Sequence, residues 1–156
     1  MGDPADGDWA RLRGLQYSSL AQNTVARLVA HGVAAVGTAA LFVGKVHFAF
    51  LIIWLAALAG SLFHASKVDA SLVDADRRRM TRDEVNRQMI GSIITALVWV
   101  VPIALFSLYC DAIARLEVWS VIALLMTISA VVLPAVPLST LLFIGIVGGA
   151  AVVNFI

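Results

Sequence analysis

The sequence predicts an all-α fold: a polytopic helical membrane protein with about five transmembrane helices. They form a hairpin of two, then a charged insert, then three more. Three observations carry this. Hydrophobic residues make up 61% of the 156 and charged ones 13%, against about 45–50% and about 25% in soluble domains. A soluble chain of this size has nowhere to hide so much apolar surface. The uncharged runs 88–110 and 118–156 are long, and about 20 helical residues cross a bilayer core. Period-two alternation is absent, which rules out a barrel and leaves helices to satisfy backbone amides in lipid.

Taken in order, residues 1–22 read as a cytoplasmic tail. Residues 1–8 are expected to be disordered. Trp9, Leu12 and Leu15 stand at helical spacing, which allows either a short surface helix or a loose lead-in. The acidic start lacks the basic region and apolar core of a cleaved signal peptide. The first hairpin covers 23–63. Its spans, 23–43 and 47–63, flank Gly44-Lys45-Val46-His47, which has room only for a tight antiparallel turn. Small residues such as Ala34, Ala35 and Gly37 suit the first span to close helix contact.

The charged insert is 64–88. It carries Lys67, Arg77, Arg78, Arg79, Arg82 and Arg87. Its first part continues the second span. Thr81 and Glu84 form a capping box that starts a third helix, running to about Cys110 with Pro102 inside it. Pro102 is expected to kink that helix or to free a carbonyl. Residues 111–117 read as a polar link, and the fourth span as 118–133. Pro134 and Pro137 bound a turn, and the fifth span follows from Leu138. Gly145, Gly148 and Gly149 suggest tight packing there, and Asn154 is expected to face another helix.

Of the eleven basic residues, nine lie in the N-terminal segment and the insert, against Lys45 and Arg115 in the other links. Basic loops face the cytoplasm, so the N-terminus and 64–88 are placed there. Arg77, Arg78, Arg79 and Trp119 are the expected topology anchors. Acids alternate with the bases of the insert and no aromatics interleave, so a nucleic-acid partner is not expected. The expected partners are the lipid bilayer and a second copy of the chain or a larger membrane assembly. Ile156 stands in an apolar run with no flanking charge, so the chain is expected to continue into a further span.

No catalytic constellation is evident: there is no HExxH, CxxC or phosphate loop. No cofactor or metal is expected. His31, in the first span, is the one weak candidate for a cofactor-binding residue, by way of a haem, a metal or a proton. The alternative is a histidine hydrogen-bonded to a neighbouring helix. Trp54 and Trp99 lie deep, where an indole N–H needs a partner. Cys110 is either a reactive thiol or a passive boundary residue. No acidic residue is expected to be buried within a span, which counts against a transporter.

The whole pattern resembles the N-terminal membrane sensor modules of bacterial GGDEF/EAL signalling proteins and some histidine kinases. The residues that carry the resemblance are Gly44-Lys45-Val46-His47-Phe48 with the apolar run to Trp54, the Arg77-Arg78-Arg79 cluster leading to Trp99, and the turn from Pro134 to Pro137. It implies an input module for cyclic-di-GMP turnover or kinase output, with the output domain beyond Ile156 and no enzymatic activity in this segment. The other function classes are a small structural subunit of a larger membrane complex and a small transporter or channel subunit.

Overall fold

In a computed structural model the chain is all-α. The structure describes residues 4–73, 81–131 and 138–155; Arg77, Arg78, Arg79, Pro134 and Pro137 lie outside them. The described residues form six α-helices: α1 Pro4–Gln22, α2 Thr24–Phe42, α3 Phe48–Ala70, α4 Arg82–Ala104, α5 Ala112–Val131 and α6 Leu138–Phe155. A short 3₁₀ turn, Phe106–Tyr109, follows α4. Helices α2, α3, α4 (with its 3₁₀ extension) and α5 are long and apolar enough to cross a membrane, and α6 is a shorter apolar helix. The chain is thus a multi-pass helical membrane protein.

The membrane helices alternate in direction and close a ring: α2 against α3, α3 against α4, α4 against α6, α6 against α5, and α5 back against α2. Contact between α4 and α6 is the most extensive. Bulky side chains that leave the ring, such as Val29, Val33, Ile53, Ile94, Leu124 and Val153, are exposed. Lipid acyl chains cover faces of this kind, so helix association here rests on packing and on polar contacts rather than on escape from water.

Local chemistry explains the joints. Between α2 and α3 the chain turns at Gly44, whose φ of 79° is left-handed and suits glycine. The amides of Lys45 and Val46 both return to the Phe42 carbonyl. His47 then caps α3, its Nδ1 accepting from the Ala49 amide. Helix α4 starts with the Thr81–Glu84 capping box, each side chain taking the other residue's amide.

Three elements differ from the sequence reading. Residues from Pro4 onward are helical rather than disordered. Proline suits a first helical turn because its φ is already set and its missing N–H is not needed there. The far end of α1 is held by a small core of Tyr17, Leu20, Ala21 and Leu72, flanked by Val68 and Val85. Residues 112–117 are not a polar link but the first turns of α5. Asp111 starts them by accepting from the Ala114 amide at 2.9 Å. Of the three glycines in α6, only Gly148 stands close to another side chain, where an added Cβ would lie 3.5 Å from Met126 Sδ, whereas Gly145 and Gly149 face open space.

Pro102 has the consequence its chemistry demands. It stays inside α4, buried, but has no N–H to give the Val98 carbonyl four residues back. The indole of Trp54 on α3 supplies the missing donor, Nε1 to Val98 O at 2.9 Å. One helix's defect thus becomes a contact between two. Replacing Trp54 by Phe is expected to lower stability by about 1–2 kcal/mol. In a Pro102→Ala background, where the helix heals its own bond, the same change should cost much less. Thermal unfolding of the four proteins in detergent measures both numbers; equal costs in the two backgrounds would refute the pairing.

Candidate functional site

The polar residues of the bundle gather at the end where α2 begins, α3 ends and α4 begins. Their centre is Asp69, in the last turn of α3 and only 1% exposed. Its Oδ2 accepts from Thr24 Oγ1 at 2.6 Å and from Arg27 Nη2 at 2.7 Å, both on α2. Its Oδ1 accepts from Gln88 Nε2, on α4, at 2.9 Å. Three helices therefore meet on one carboxylate. This corrects the expectation that no acidic residue is buried in a span. Asp69 lies within the charged 64–88 stretch of the sequence, but α3 carries it inward, and its charge is tolerated because Arg27 and two neutral donors surround it.

A signal for this site was present in the sequence. Leu51, Trp54, Leu58, Ser61 and Asp69 are the buried residues of α3. They recur at helical spacing, so Asp69 falls on the apolar stripe. Gln88 likewise heads the stripe that runs through Gly91, Thr95, Trp99 and Pro102 of α4. Arg27 stands one turn before the buried His31 on α2. Charged or amide residues in register with a buried stripe mark places where helices share polar contacts.

Beyond the clamp lies a small cavity between the same ends of α2 to α6. Its lining includes Arg27, His31, Gln88, Ser92, Ser139 and Thr140. It offers about 50 Å³ to the centres of water-sized molecules, against roughly 300–1,000 Å³ for pockets that take drug-sized ligands. It suits a few waters or one small ion. The Ser139 hydroxyl is fully buried and has no hydrogen-bond partner among the described residues.

His31 sits at the wall of this cavity and is buried. Its Nδ1 accepts the Trp99 indole N–H at 2.9 Å. The proton of the neutral ring is then on Nε2. Its ring also meets Phe143 edge-on, centroids 5.4 Å apart, while Trp99 packs edge-on against Trp54 at 5.6 Å. The cavity beside His31 is too small for a haem. Among the described residues no three His, Cys, Asp or Glu side chains cluster as a metal site.

The remaining candidates lie apart. Trp119, on α5, is half-buried against the core. Asn154, on α6, accepts from Ser107 Oγ at 3.1 Å across the far end of the bundle. Cys110 is buried at that end, and desolvation pushes its thiol above the ordinary range, outweighing the nearby cations Lys45 and Arg115. Fewer thiolates form at neutral pH, which disfavours a nucleophilic role.

Fold and site together define a polytopic helical membrane protein with a buried three-helix carboxylate clamp. No family model, curated protein or solved structure matches the chain.

Removing the Asp69 charge while keeping its shape tests the clamp. Asp69→Asn leaves the Arg27 guanidinium without its counter-ion and is expected to cost about 3–5 kcal/mol. Adding Arg27→Gln should recover a large part of that loss, because two amides can bond without a net charge. Denaturant titration of the purified single and double variants reads the coupling; additive losses would show that the pair is not joined.

Proposed function

We propose that the bundle is the membrane-embedded input and anchoring module of a bacterial signal-transduction protein, the class its pattern resembles. The observation that carries this reading is the Asp69 clamp. It ties α2 and α4 to the last turn of α3, at the end of the bundle where the 64–88 segment connects α3 to α4. The same end supports α1, through Ser18 Oγ to the Val73 carbonyl at 2.8 Å and through the core around Leu72. A shift in helix packing at this end therefore reaches both α1 and the insert. Such a shift needs a cue that binds the two packings unequally.

On this reading the N-terminal helix and 64–88 lie on the cytoplasmic side of a bacterial inner membrane, following the distribution of basic residues. The module forms a homodimer or a larger assembly, and the output is cyclic-di-GMP turnover or a kinase. A second reading, a structural subunit of a larger membrane complex, draws on the exposed apolar faces of every membrane helix. The transporter reading is the weakest, because the clamp occupies both oxygens of the one carboxylate buried among the described residues.

Purification from native membranes in mild detergent separates the first two. An input module is expected to appear as a homo-oligomer linked to a GGDEF, EAL or kinase domain. Stoichiometric recovery with unrelated integral membrane proteins, and with no such domain, would overturn the proposal. Orientation has its own test. A cysteine introduced by Ala70→Cys, at the exposed end of α3, should resist an impermeant thiol reagent in intact cells and react after lysis. Labelling in intact cells reverses the topology.

A further inference from the structure

We propose that the polar cavity bounded by Arg27, His31 and Ser139 is a binding site for one small monovalent anion of chloride, nitrate or bicarbonate size. The site stands on the cavity alone and holds for an input module and a structural subunit alike.

The lining is rich in donors and lacks a negative charge. Arg27 commits one Nη2 bond to Asp69, which leaves the rest of its five-donor fork. Asp69 itself is not part of the lining, and both its oxygens are taken by Thr24, Arg27 and Gln88. His31 has Nε2–H as its remaining ring donor, since Trp99 occupies Nδ1. Thr95 and Ser129 give their hydroxyl protons to helix carbonyls. Ser139 does not. Its hydroxyl is 0% exposed, has no partner among the described residues, and lines the cavity. A buried hydroxyl without a partner is costly, and an occupant that accepts its proton removes the cost.

The backbone adds to this. Ser139 and Thr140 stand in the first turn of α6, whose leading amides have no acceptor within the helix. That end of the helix carries the positive pole of its dipole. A guanidinium, an orphan hydroxyl and a helix N-terminus converge on a space of about 50 Å³. Its size suits one small anion. Arg27 is charge-balanced by Asp69, so it is the lining's uncommitted N–H and O–H donors, rather than a net charge, that favour an anion over a metal cation.

The test uses the full chain in detergent, with thermal unfolding followed by tryptophan fluorescence. Ionic strength is held constant while gluconate is replaced by chloride, nitrate or bicarbonate. The expected result is a saturable rise in melting temperature with at least one of the three. Ser139→Ala should melt at or above the wild-type temperature in gluconate, because it removes a buried hydroxyl that has no partner there. It should need about tenfold more anion for half the rise, the effect of one hydrogen bond to a charged group. Thr140→Val provides a second variant if Ser139→Ala folds poorly. The absence of any anion effect means that the cavity holds water only, and overturns the proposal. So does a linear response shared by both proteins, or one that follows the cation when sodium is exchanged for choline.

Discussion

A single buried carboxylate sets how one end of this bundle is assembled. Asp69 cannot remain ionised in a low-dielectric setting without opposite charge and hydrogen bonds around it. Thr24 and Arg27 come from α2 and Gln88 from α4, so meeting Asp69's needs brings three helices to one point. Arg27 is partly open, with 19% of its side chain exposed, whereas Asp69 is closed off. The arginine thus keeps contact with the polar boundary and the cavity while the acid is held inside. Packing in lipid lacks the drive of water exclusion between helices, so polar contacts of this kind carry more of the specificity.

The same logic runs through the middle of the bundle. Pro102 withdraws a donor from α4, and Trp54 gives one back from α3. Trp99 needs an acceptor, and His31 on α2 offers Nδ1. Ring contacts link Phe143, His31, Trp99, Trp54, Phe106 and Phe42, edge-to-face in every pair but the tilted His31–Trp99, so that aromatic packing and hydrogen bonding follow one path across the core. Edge-to-face geometry is the arrangement that ring quadrupoles favour. His31 is best understood as part of this path: the indole takes one ring nitrogen, and the other is left for the cavity.

These contacts also make the two ends of the bundle unlike. The far end of the bundle is closed by the Gly44 turn, the 3₁₀ segment and the Ser107–Asn154 contact. The near end holds the clamp, the cavity and α1, beside the ends of α3 and α4.

How much of this was legible beforehand follows from the range of each interaction. Length and hydropathy identified the membrane helices, because a bilayer demands a long apolar helical run wherever it is crossed. The Gly44 turn and the Thr81–Glu84 box were legible for a similar reason: their partners lie within a few residues. Pro102 announced a free carbonyl, but which donor would fill it depended on a residue 44 positions away from Val98. Asp69 looked like one charge among many in a hydrophilic insert, although its register with the buried stripe of α3 was already written. The sequence by itself determined the class, the helices and their local caps, since these depend on composition and near neighbours. Only the tertiary structure decided that Asp69 is buried, that His31 is paired with Trp99, and that Ser139 faces a cavity, because each of these requires separate helices to be set side by side.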